Sequence, residues 1–218
     1  MSSEATSAVP AERVRFAAAT LPVYAAAIFL AAGLVFLVQP MAAKMLLPRF
    51  GGSPAVWAVS LVFFQAVLLA GYAFAHLSLR LLPLRVHSAL HLGVLAAPLA
   101  VLPIAVRDEP TGGTPALSLL AVLTLSVGLP FFAVTTASPV LQRWFSATGH
   151  GAAADPYFLY AASNAGSLLG LLAYPLVLEP TLTLEEQARA WFVGYGVFLA
   201  ATSLAATRVF RAAPRGVA

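Results

Sequence analysis

Charged residues in this chain are so widely spaced that the gaps between them decide what it can fold into. No Asp, Glu, Lys or Arg occurs between Arg15 and Lys44, Arg49 and Arg80, Arg85 and Arg107, Glu109 and Arg143, Asp155 and Glu179, or Arg189 and Arg208. A helix rises about 1.5 Å per residue, so about 20 apolar residues cross the roughly 30 Å of bilayer hydrocarbon. Each gap holds such a span, the last, Ala190 to Thr207, only just. With 61% hydrophobic and 9% charged residues among 218, the chain has too little polar surface to coat a soluble globule. The gaps are continuous and rich in Leu and Ala, without the period of two that marks barrel strands. The expected fold is an all-α integral membrane protein, a bundle of six transmembrane helices. Its spans are expected at about 20–43, 54–79, 86–106, 115–142, 156–179 and 188–208, with a polar N-terminal tail over 1–15 and a C-terminal tail over 211–218.

Orientation follows from the basic residues, which membranes retain on the cytoplasmic side. An even number of spans puts Arg13, Arg15, Arg80, Arg85, Arg143, Arg208, Arg211 and Arg215 on one face, against Lys44, Arg49, Arg107 and Arg189 on the other. Both termini are therefore expected in the cytoplasm. The net charge of +4 is a topology signal in this reading. Nucleic acid is not an expected partner, because no basic run with interleaved aromatics occurs. Arg13 and Arg15 precede a small-residue stretch as in a signal peptide, but the apolar run continues to Pro40, beyond the roughly 7 to 15 residues of a signal core. It is read as a true helix. The chain has no cysteine, which excludes disulfides, thiolate metal sites and cysteine nucleophiles.

Local punctuation fits this plan. "DEPTGGTP" (108–115) and "SATGHGAAADP" (146–156) read as turn-rich loops, and Thr183 with Glu186 has capping-box spacing at the start of the last span. Prolines interrupt the third, fourth and fifth spans. Thr135, Thr136 and Ser138 follow Pro130 and can satisfy carbonyls that it frees. In the fifth span Ala162, Gly166 and Gly170 recur every four residues, a helix-packing face that brings in another helix of the chain or a second copy. Gln65 and Asn164 both fall about 13 to 17 Å from the start of their spans at 1.5 Å per residue, near the midplane. They either satisfy one another or line a polar cavity there. His76, His87 and His91 sit around the loop after the second span. His87 and His91 have the i, i+4 spacing of a metal pair, but no carboxylate nearby completes a site, so they are read as interfacial and no metal or cofactor is expected.

"FLVQPMAAKMLLPRFGGSPAVW" (36–57) ends the first span and leads through a glycine turn into the second. Trp57 suits an interfacial anchor. Gln39, Lys44 and Arg49 lie near the external end of the fifth span, where Glu179 stands. At least one of Lys44 and Arg49 is expected to pair with Glu179, forming a polar ion-pair site.

These same residues carry a family resemblance. "VQPMAAKMLLPRFGGSPAVW", "FFQAVLLAGYAFAH" and "DPYFLYAASNAGSLLGLLAYP", in that order, closely resemble the membrane region of the fused spermidine-synthase-like proteins. Those are bacterial proteins whose integral membrane part precedes an aminopropyltransferase-like domain. The resemblance runs from about Phe29 to Pro180. It implies an inner-membrane, multi-pass protein whose bundle is similar to half of a major-facilitator-type transporter. The soluble α/β sheet with its glycine-rich turn has no counterpart in these residues, so no catalytic residue and no enzymatic activity are expected of this chain. Two functions then fit. One is a non-catalytic membrane module that anchors or serves a separate soluble aminopropyltransferase-like partner. The other is a small-solute transporter or channel, for amines among other solutes, acting as a homodimer of six-helix halves.

Overall fold

The computed structural model describes residues 19–106 and 114–212. The N-terminal tail, all but the last two residues of the 108–115 loop and nearly all of the C-terminal tail lie outside them. Every regular element among the described residues is helical. The rods are α1 (Thr20–Phe50), α2 (Pro54–Leu81), α3 (Leu84–Ala100), α4 (Pro115–Ser146), α5 (Pro156–Thr181) and α6 (Leu184–Ala212). All except α3 are long and apolar enough to cross a membrane, which describes a multi-pass membrane protein.

Two of the expected spans differ in extent. α1 does not stop near position 43 but continues through Pro48 to Phe50, ending only at Gly51, where φ is 71°. Lys44 and Arg49 are thus helical residues on its last turns. Conversely, the third span is not a helix over 86–106. Its α-helix ends at Ala96, a short tight turn containing Pro98 closes it at Ala100, and no helix continues to 106. A charge-free gap records apolar length, whereas Pro98 and Pro103 control whether the backbone can use it.

Prolines leave other marks. Widened π-turns occupy Thr124–Gly128, just before Pro130, and Tyr174–Leu178, around Pro175. Such turns absorb a residue that the regular ladder cannot bond. Thr135 and Thr136 then donate to the carbonyls of Phe132 and Ala133 at 2.8 and 2.7 Å, which keeps main-chain acceptors satisfied. Ends are capped as spacing suggests. The Ser53 and Thr114 hydroxyls accept from Val56 and Leu117, and Thr183 and Glu186 form the reciprocal box, with Thr183 N donating to Glu186 Oε2 at 2.8 Å.

α1 is the axis of the assembly, packing along α5 and α6 and against α4. Tyr24, Ala27, Ile28, Ala31, Leu34, Val38 and Met41 recur at helical spacing and are buried. Aromatic donors tie the rods together. Tyr24 Oη donates to Ala205 O, Trp191 Nε1 to Leu34 O and Tyr195 Oη to Leu95 O, at 3.0, 3.0 and 2.6 Å. Each joins a long apolar side chain to a main-chain acceptor, so the polar tip is satisfied without water. The bundle has two ends. One carries the α1–α2 turn with Lys44, Arg49, Glu179, Glu185, Glu186 and Arg189. The other carries the α2–α3 turn with Arg80, Arg85, Arg143 and Arg208.

Candidate functional site

At the α1–α2 end, Lys44 Nζ meets Glu179 Oε1, the side chains remaining 37% and 38% exposed. The contact exists because α1 runs on past Pro40 while α5, after its π-turn, delivers Glu179 beside it. Gln39 belongs elsewhere. Its Nε2 donates at 3.1 Å to Val35 O of its own helix. Arg49 occupies the exposed last turn of α1. The neighbouring acids have separate tasks: Glu186 caps α6, and Glu185 holds Arg189 at 2.5 Å in an exposed i, i+4 pair. An ion pair one-third open to its surroundings supplies positioning and local charge neutrality.

The small-residue face of α5 closes on α1. A Cβ added at Gly166 would lie 2.2 Å from Phe29 O, and one at Gly170 would lie 2.9 Å from Gly33 O. Main chain meets main chain there, which only glycine permits. Ala162, at the end of the same stripe, is half-buried against the core. The stripe therefore serves packing within the chain.

Gln65 and Asn164 do not satisfy one another. Both are exposed on the outside of the bundle, and neither side chain bonds to another described residue. What lies beside them was not evident from their depth alone. Tyr72 stands two turns beyond Gln65 on the same face of α2, and Tyr160 one turn before Asn164 on the same face of α5. Between these tyrosines opens a cavity of about 470 Å³, lined also by Ser138, Gln142, Arg143 and Ser146 of α4. Gln142 Nε2 donates to Ser138 Oγ at 3.4 Å, and Arg143 Nη1 to Ser146 Oγ at 3.1 Å. The sequence carried a signal for this floor: Ser138, Gln142 and Ser146 recur every four residues, a polar stripe on an otherwise apolar helix.

His87 and His91, read as interfacial, turn inward within the bundle. Both are fully buried, stacked at 5.9 Å and set edge-on to Trp144 at 6.0 and 5.4 Å. Trp144 Nε1 donates to His87 Nδ1 at 3.2 Å, while His87 Nε2 meets Ser78 Oγ at 3.2 Å. This cluster joins α2, α3 and α4 at the α2–α3 end. Among the described residues no group of three His, Cys, Asp or Glu could hold a metal.

No protein-family model, curated protein or solved structure matches this chain. The fold and composition define it as an all-helical, multi-pass membrane protein.

Proposed function

We propose that this chain is a six-helix half of a solute pathway in the bacterial inner membrane, with both termini in the cytoplasm, completed when a second copy covers the α2/α5 face. The observation that carries this reading is the placement of Gln65 and Asn164 on outward faces, in line along α2 and α5 with Tyr72 and Tyr160, which line one polar cavity. An amide turned toward hydrocarbon forfeits its hydrogen bonds, so polar side chains at such depth ordinarily face protein or a water-filled path. Among the described residues Arg143 is the only charged one lining the cavity. A polyamine would meet a like charge there. The solute is accordingly a small polar molecule, neutral or bearing a carboxylate or phosphate that Arg143 can bind. The anchoring role implied by family resemblance calls for a surface that recruits a soluble protein, and it leaves the midplane amides without a task.

The absence of native cysteine makes the test direct. Single cysteines at Leu69 and Leu168, one turn from Gln65 and Asn164, should cross-link two copies in native membranes under oxidation. One at Val193 on α6, also exposed, should not. No cross-linking at Leu69 or Leu168, or equal cross-linking at all three, overturns the proposal. For orientation, a cysteine at Ser53 should react with an impermeant thiol reagent added outside intact cells, and one at Gly151 only after the membrane is opened.

A further inference from the structure

A second cavity lies on the other side of α5. It is a slot of about 280 Å³ between α5 and α6, floored by α1 and lined by small and apolar residues such as Gly33, Gly170, Ala190 and Gly194. Along α1 it runs from Phe29 to Met41, about 18 Å at 1.5 Å per residue. Such a slot is long, narrow and nearly free of polar surface. Two polar atoms are the exceptions. Tyr174 Oη and Gln187 Oε1 both belong to residues lining the slot that are 3% exposed, and neither atom has a hydrogen-bond partner among the described residues. The orientation of Gln187 is settled by its other atom, since Nε2 donates to Leu182 O at 2.9 Å and Leu178 O at 3.4 Å. Only an amide nitrogen can do so, which leaves Oε1 as the free acceptor. Tyr174 opens the π-turn that surrounds Pro175, a local distortion of a kind often found at binding sites. Leu178 and Met41, at one end of the slot, are next to and one turn from the Glu179–Lys44 pair.

A dry groove with an unused donor, an unused acceptor and an ion pair at its mouth matches an amphiphile with a long chain. We propose that this slot binds one acyl chain of a membrane glycerophospholipid. The Tyr174 hydroxyl donates to the chain's ester carbonyl, and Gln187 Oε1 accepts from a hydroxyl or ammonium of the headgroup lying at the Lys44–Glu179 end. This site is independent of the α2/α5 face. Headgroup chemistry should therefore matter: phosphatidylglycerol and phosphatidylethanolamine carry such a donor, and phosphatidylcholine does not.

The test uses the full chain, delipidated in detergent, with thermal unfolding followed as each of these three lipids is added with identical acyl chains. Wild type should be stabilised by phosphatidylglycerol and phosphatidylethanolamine at concentrations at least threefold lower than by phosphatidylcholine. Tyr174→Phe should unfold no earlier than wild type without lipid, because its hydroxyl has no partner among the described residues, yet should need at least fivefold more lipid for half of the gain. Ala190→Phe, which fills the slot from its exposed wall, should lose lipid adducts in native mass spectra, whereas Leu204→Phe elsewhere on α6 should keep them. Equal response to all three lipids would overturn the headgroup contact. A Tyr174→Phe variant that takes up lipid like wild type, or that is destabilised before any lipid is added, would overturn the site.

Discussion

α5 has two faces, and they are built on opposite principles. Gly166 lies two positions beyond Asn164, about 200° around the helix at 3.6 residues per turn. On the Gly166 side the side chains vanish and α1 approaches to main-chain contact. On the Asn164 side Tyr160, Asn164 and Leu168 stand exposed, with a polar cavity beside Tyr160. In lipid no hydrophobic force drives helices together, so a rigid seam must come from close packing and an open face must be justified by what it contacts next. The glycine face holds the bundle. Among the described residues the Asn164 amide has no hydrogen-bond partner, which is why this face is the place to look for function.

The sharpest way to break this contrast is to put bulk on the closed face. Gly166→Leu is expected to prevent assembly, because even a methyl group would lie 2.2 Å from Phe29 O, and backbone cannot give way as a flexible side chain would. Overpacking commonly costs about 1–3 kcal/mol, and a clash with main chain belongs at or beyond the upper end. Loss of monodisperse protein on detergent gel filtration, or a large fall in melting temperature, is the expected result. A variant as stable as wild type would show that α1 and α5 are not in contact at this point.

A middle-sized effect is expected at the Lys44–Glu179 pair, where the α1–α5 seam ends. Lys44→Met and Glu179→Gln should each destabilise the protein modestly. Together they should cost less than the sum of the two, with a coupling of about 1 kcal/mol or less for a pair this exposed. Strict additivity in thermal unfolding would reduce the contact to coincidence. Smaller again, and independent of the seam, Thr183→Ala should remove the capping box of α6 at a cost of about 0.5–1 kcal/mol in the same measurement.

Much of the closed face could be read from residue order. Charge-free gaps located the five long helices, and the four-residue repeat of Ala162, Gly166 and Gly170 identified the seam, though nothing in it named Phe29 and Gly33 as the opposing backbone. Charge at similar depth brought Lys44 together with Glu179, but the helical setting of Lys44 was hidden because the expected span ended at about position 43, just before the first charge. Each freed carbonyl can be accommodated locally, so a proline alone does not end a helix in lipid. The burial of His87 and His91 was illegible for a related reason. An i, i+4 pair defines a face without saying whether it turns inward, and Trp144, fifty-seven positions away, decides that. The open face was half legible. Depth singled out Gln65 and Asn164, but depth carries no azimuth, and azimuth separates mutual pairing from a cavity wall.

The smallest expected change in stability tests the open face most severely. Gln65→Leu and Asn164→Leu remove amides that bond to no other described residue, so a single copy in detergent should unfold within about 0.5 kcal/mol of wild type, as for surface substitutions lacking specific partners. An amide buried in an internal network would behave otherwise, because its loss strands a partner at about 1–3 kcal/mol. The double variant should instead weaken association, seen as a loss of cross-linking between Leu168→Cys chains at unchanged melting temperature. Stability that falls sharply with either leucine would place these amides inside the fold's own network and make the two faces of α5 alike. Unchanged stability with unchanged cross-linking would leave the second copy without any need for them. Only the divergence of the two readouts separates a face that holds the bundle from one that meets a partner.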